Sequence, residues 1–303
     1  MVDFKKIELS DKDWIDGLLR LSGYRGAEYC FTNLFVWSGV YKTRVGRLGD
    51  WLLVRTGSAE HPIDIFPAGR GDVKSLIDML LENAKKERRD FKMVGVGVEQ
   101  AALLQQRYPG LFEVTPIRSS WDYIYKVGDL STLQGKRYQP KRNHIARFTE
   151  LPDWRYEQID GHNIGECIEM NKIWCQQVGC DENKSLYMET CAAGITLDHF
   201  DALKLEGALL RVADRVVAYT VGEPLNSDTY IVHIEKAFSE VRGAYPMINR
   251  EFVRDKAASF LYVNREDDAG DEGLRTAKSS YHPFLMEEKY FFVVSYNSLS
   301  LRP

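Results

Sequence analysis

His233 and Glu235 stand two residues apart in the run TYIVHIEKAF, among Tyr230, Val232 and Ile234. Side chains alternate along a strand, so the imidazole and the carboxylate share one face and the apolar residues take the other. Amine acylation needs a base for the nucleophile's proton, and burial can raise a carboxylate's basicity for that work; Glu235 first and His233 second are the candidates. The strand leads into a turn at the mouth of a helix. There Ser239, Val241, Arg242, Gly243, Ala244 and Tyr245 could cradle a phosphate, because free backbone N–H groups and the helix dipole favour an anion and Arg242 adds charge. A second strand, FLYVN, ends on Asn264, a candidate contact to the same donor. Lys278 and Tyr281, three apart near the end of the last helix, can face one site. Tyr281 could protonate a leaving group, and Lys278 could hold a phosphate or carboxylate. The plainer alternatives are a hydrogen-bonded pair stabilising a sheet, an ordinary strand-to-helix turn, and a cation at a helix C-terminus beside a core tyrosine.

A basic stretch precedes this region. From Ser131 to Thr149 there is no acid, whereas Lys136, Arg137, Lys141, Arg142 and Arg147 are basic and His144 sits among them. Lys136, Lys141, Arg142 and His144 are therefore candidate substrate contacts, as phosphates of a cofactor or nucleic acid would be neutralised there. A solvated helix is the alternative. The spacing of a calcium loop is absent from REDDAGD, and no metal is expected.

These residues need elements to position them. The N-terminal half reads as a short strand at 4–8, a helix capped by Asp11, and an aromatic run at 29–41. A hairpin about Gly49-Asp50 follows, then the strand IDIFPA, the turn Gly69-Arg70-Gly71, a helix capped by Asp72, and the strand FKMVGVG. A further helix and one or two strands to residue 128 complete it. The C-terminal half repeats this order. The turns at Asp50 and Arg215 differ by 165, Arg70 and Arg242 by 172, and Phe91 and Phe260 by 169. Near-constant offsets in one order predict duplicated architecture: domains at 1–128 and 151–303 about a helical connector at 129–150, with the cleft in the second. The stretch 179–199 is unassigned: it could cover the cleft or join two elements.

The 303 residues suffice for two domains, and 44% hydrophobic with 28% charged residues is a globular composition. A net charge of −4 gives no whole-chain attraction to nucleic acid or membrane. No apolar run opens the chain and none is long enough to span a bilayer, so a cytoplasmic protein is expected. The five cysteines, irregularly spaced, fit neither a disulfide framework nor a zinc site and read as reduced thiols.

The order helix, hairpin, strand, phosphate-type turn, helix, strand, helix, strand resembles the GCN5-related N-acetyltransferase (GNAT, acyl-CoA N-acyltransferase) fold. Two such units joined by a helical segment resemble the Fem-type aminoacyl-tRNA-dependent transferases. More specifically, GKRYQPKRNHIARF (135–148) and YVNREDDAGDEGLRTAKSSYHP (262–283) resemble the C-terminal domain family of phosphatidylglycerol lysyltransferase, with its GLR-x-x-K-x-x-[FY]-x-P ending. The resemblance implies an α/β chain of two tandem GNAT-like domains with mixed, mostly antiparallel sheets flanked by helices. It implies transfer of an acyl or aminoacyl group to an amine or hydroxyl, from acyl-CoA or from aminoacyl-tRNA. The usual acetyl-CoA loop, [QR]-x-x-G-x-[GA], has Glu240 and Tyr245 at its first and last places here. The alternative is therefore a non-catalytic GNAT scaffold that binds a nucleotide-bearing ligand or a protein partner. Peripheral contact with a membrane is a further expectation.

Overall fold

Two-residue turns set the register of both central hairpins. Leu48 faces Trp51 across Gly49-Asp50, and Val212 faces Arg215 across Ala213-Asp214; Gly49 and Ala213 take positive φ, as the right-handed twist of the flanking strands favours. The computed structural model describes residues 2–301. From the N-terminus the chain forms β1 (Lys5–Lys6), α1 (Lys12–Ser22), α2 (Phe31–Val36), α3 (Ser38–Tyr41), β2 (Arg44–Leu48), β3 (Trp51–Gly57) and β4 (Pro62–Gly69). Next come α4 (Val73–Lys86), β5 (Phe91–Val96), α5 (Val98–Arg107), β6 (Glu113–Pro116), β7 (Asp122–Lys126), α6 (Val127–Thr132) and α7 (Gln139–Thr149). The remainder begins with β8 (Trp154–Gln158), α8 (Ile164–Val178), α9 (Lys184–Asp198), β9 (Glu206–Val212), β10 (Arg215–Pro224) and β11 (Thr229–Ala237). It ends with α10 (Ala244–Lys256), β12 (Tyr262–Asn264), α11 (Glu272–Ser279), β13 (Leu285–Glu287), β14 (Tyr290–Val294) and α12 (Tyr296–Ser300). The unassigned stretch 179–199 is largely α9.

The strands form two seven-stranded mixed sheets, β1-β2-β3-β4-β5-β14-β6 and β13-β7-β12-β11-β10-β9-β8, flanked by helices in two units. Their membership departs from a division at residues 128 and 151. β14, at the end of the chain, pairs with β5 and β6 in the first sheet; β7, from the N-terminal half, pairs with β12 in the second. The compact units are accordingly discontinuous. One holds the chain up to Asp122, Asp267–Arg275 and the segment from Met286 on; the other holds Tyr123–Glu266 and Thr276–Leu285. Strand pairing is a backbone interaction, so an apolar run such as YFFVV does not name its partner. Side chains outside the strand help to decide it: Lys289, one residue before β14, lies 2.5 Å from Glu28 and 2.8 Å from Asp122, all in the first unit. Among the described residues no helix is long and apolar enough to cross a membrane.

Each unit contains a pair of parallel neighbours that part after a few residues. In the first, β4 and β5 pair only at Asp64–Met93 and Ile65–Val94. The Tyr29 hydroxyl then bridges the gap, donating toward the carbonyls of Phe66 (3.2 Å) and Gly95 (2.8 Å). A buried tyrosine thus occupies the first notch. In the second unit β11 and β12 pair from Thr229–Tyr262 to Ile231–Asn264 and then part, and charged side chains line that notch.

Candidate functional site in the notch of the second unit

Asn264 ends the parallel ladder. It is fully buried, and its side-chain oxygen accepts the N–H of Glu266 at 2.7 Å, shaping a turn in which Glu266 takes φ 55°. The segment is also held to β7, since Arg265 N–H donates to Tyr123 O and Tyr123 N–H to Glu266 O. Beyond the ladder β11 still advances through His233 and Glu235, and side chains from the turn meet them. Arg265 Nη2 lies 2.8 Å from Glu235 Oε1, and His233 Nδ1 lies 2.8 Å from Glu266 Oε1. Asn249 of α10 donates to the other Glu235 oxygen at 2.7 Å.

Aromatic rings and one amine complete the cluster. The Arg265 guanidinium stands 4.7 Å from the ring centre of Tyr281 and 5.5 Å from that of Tyr125. Lys141, from the basic helix α7, places its Nζ 3.9 Å over the Tyr281 ring and donates to Ser280 Oγ at 2.7 Å. Burial and the neighbouring Arg265 charge bring the Lys141 amine down to about 8, against the pull of Glu235. A substantial neutral fraction is then available near physiological pH, which an exposed lysine lacks. Burial pushes the Tyr281 hydroxyl up, so it stays protonated. Two buried atoms here have no hydrogen-bond partner, Arg265 Nη1 and Asn249 Oδ1. Such orphans are uncommon in folded proteins and are the valences a bound group would satisfy.

Of the residues singled out in the sequence, Glu235, Tyr281 and Lys141 meet in this cluster. His233 lies beside it with a different character. Burial disfavours its charge, but hydrogen bonds to Glu223 (3.1 Å) and Glu266 outweigh this and raise it to about 9. An imidazolium bonded at both nitrogens has no lone pair for a proton, which argues against its use as a base. We expect the ring resonances of His233 to titrate near pH 9 in NMR; a midpoint near 6.5 would mean the two carboxylates do not hold it. The sign for stability follows. The contribution of charged His233 is fully present below its unfolded value of 6.5 and is lost as pH rises through about 9.

Other candidates have structural partners. Lys278 Nζ donates to the Arg265 carbonyl at 2.6 Å and so fixes the turn that presents Arg265. Arg142 closes the start of α7 through the carbonyls of Leu133 and Gly135 and the side chain of Gln139. Lys136 is exposed, and Asn264 is spent on the Glu266 turn. The helix mouth at 239–245 also departs from a phosphate cradle. Val241 N–H donates to Phe238 O and Ala244 N–H to Val241 O. Gly243 takes φ +89°, and a Cβ there would lie 2.1 Å from the carbonyl oxygen of His144, so α7 packs directly on the turn. The His144 side chain is exposed, as are Ser239 and Arg242. Tyr245 is half-buried, with burial raising its hydroxyl. Arg242 instead borders a cavity of about 560 Å³ shared with Arg147 and Arg215. Reading the sequence missed Arg265, Asn249 and Tyr125. Arg265 directly follows the strand end at Asn264, a signal that was legible; Asn249 lies in an amphipathic helix and Tyr125 in a buried strand, where neither is marked out by spacing.

Residues 19–293 match the model of one family, described as phosphatidylglycerol lysyltransferase, C-terminal. The chain belongs to that family. The match spans nearly all the elements above, both sheets included. A conserved protein of unknown function from Bacteroides thetaiotaomicron is 39% identical, with a TM-score of 0.92 over 97% of this chain and 100% of that one. The structure of L-PGS from Bacillus licheniformis superposes with a TM-score of 0.65 at 14% identity, over 97% of this chain and 93% of that one, a likeness of fold. An uncharacterised protein of Mycoplasmoides gallisepticum is 26% identical over 188 residues, 58% of this chain and 57% of that relative's length.

Proposed function

We propose that the second unit transfers an aminoacyl group from an aminoacyl-tRNA ester to an amine or hydroxyl acceptor, with the chemistry in the β11/β12 notch. The observation that carries this is the Glu235–Arg265 ion pair across the notch with Lys141, brought down to about 8, standing on Tyr281. The acceptor nucleophile attacks the ester carbonyl, and neutral Lys141 takes its proton. The spare Nη1–H of Arg265 meets the developing oxyanion, while Glu235 holds the guanidinium in place. Collapse forms the new amide or ester bond, breaks the donor C–O bond and returns the proton from Lys141 to the leaving alkoxide. The family supports transfer of this kind. One feature favours a nucleic-acid donor over acyl-CoA: α7 covers the helix mouth at Gly243, where the phosphates of a CoA would sit.

Total tRNA charged with labelled amino acids provides the test, with small amines or phosphatidylglycerol vesicles as acceptors. Protein-dependent transfer of label, weakening steeply with salt, is the expected result. Transfer from acyl-CoA alone would replace the donor. Binding without transfer from either would leave a GNAT scaffold that only recognises a nucleotide-bearing ligand. For the base, the transfer rate should rise with pH about a midpoint near 8. Lys141→Met should lower it about 100-fold and flatten that rise. A profile that keeps its midpoint in the variant assigns the base elsewhere.

A further inference from the structure

The buried side of α10 carries an amide among its apolar residues. Ala244, Met247, Ile248, Phe252 and Val253 are buried along this helix, and Asn249 between them is 2% exposed. Asn249 Nδ2 donates to Glu235 Oε2 at 2.7 Å, and Arg265 Nη2 donates to Oε1 at 2.8 Å. One carboxylate thus holds both groups and fixes how each is turned. An amide gives its N–H side to a carboxylate, so Asn249 Oδ1 is the end left over; the guanidinium, held at Nη2, leaves Nη1. Both atoms are buried and find no hydrogen-bond partner among the described residues. An unmet acceptor and an unmet donor therefore flank the same side chain, where folded proteins normally satisfy every buried polar atom.

We propose, on the strength of the transfer reading, that this pair selects donors with an unblocked α-amino group. Arg265 Nη1 donates to the ester carbonyl, and Asn249 Oδ1 accepts a hydrogen bond from the α-amino group. In an aminoacyl ester the carbonyl oxygen and the α-nitrogen sit on adjacent carbons, an acceptor beside a donor, which complements what the notch leaves open. An acetyl or fatty acyl thioester brings the carbonyl but has nothing to give Oδ1. An N-acylated or peptidyl ester brings an extra acyl group into a buried site. A buried polar group that one substrate pairs and another leaves unpaired discriminates strongly between them. Asn249 is thus the specificity-determining residue for the donor's α-amino group, in addition to its hold on Glu235.

The test uses the full chain and one preparation of tRNA charged with labelled amino acids, half of it N-acetylated. Transfer from the free half and a loss of about 100-fold on acetylation are expected. Equal transfer from the two halves would overturn the proposal and leave the transfer reading standing. Binding is followed separately by NMR, with amino acid methyl esters and their N-acetyl derivatives as probes. The Asn249 side-chain amide resonances should move with free esters alone. Shifts that ignore acetylation, or none with any free ester, would overturn the proposal, whereas selective shifts without transfer from charged tRNA would remove the transfer reading alone. Asn249→Leu should erase most of the preference for the free half. That ratio does not depend on how much of the variant folds, and an undiminished preference would place the selection on another residue.

Discussion

Arg265→Met is expected to abolish transfer and to cost about 3–5 kcal/mol of folding stability, because it leaves the Glu235 carboxylate buried without its cation. Both side chains of the pair are only 10% exposed, and Asn249 alone cannot neutralise a charge. The stability loss and the loss of activity have separate origins, and a second variant parts them. In Arg265→Met with Glu235→Leu no charge is stranded, so stability should return toward the parent value while transfer stays absent. Denaturant midpoints and the charged-tRNA assay on the same preparations give both readings. Transfer that survives in the double variant would remove the ion pair from the mechanism.

Gly243→Ala should destabilise the protein by about 2–5 kcal/mol in the absence of any ligand, combining a left-handed backbone with overpacking. The φ of +89° is strained for any side chain, and the new methyl would meet the His144 carbonyl oxygen at 2.1 Å and Phe148 Cβ at 3.0 Å. Neither neighbour is a flexible side-chain end, so α7 or α10 must shift. A glycine kept to let a phosphate approach would behave differently: alanine would leave the denaturation midpoint in place and weaken donor binding alone. Chemical denaturation of the ligand-free protein distinguishes the two, and an unchanged midpoint would restore the phosphate-cradle reading.

Much of this molecule was determined by sequence alone. Alternation along TYIVHIEKAF put His233 and Glu235 on one face, turn residues placed the first hairpin at Gly49-Asp50 and the second one residue beyond its actual turn at Ala213-Asp214, and near-constant offsets announced two units of one fold, because these features depend on neighbours along the chain. The family resemblance was likewise carried by two contiguous stretches. What the tertiary structure decided depends on residues distant in sequence. Strand ladders carry no label for their partner, so the sheet membership of β7 and β14 emerged only from the pairing itself. The chemistry of a side chain is set by its surroundings as much as by its type. His233, read as a base, is held as an imidazolium by two carboxylates from other segments. Lys141, read as one cation in a basic helix, is brought toward neutrality by burial near Arg265. Solvation and pairing, which fix proton affinity, arise from packing rather than from local spacing.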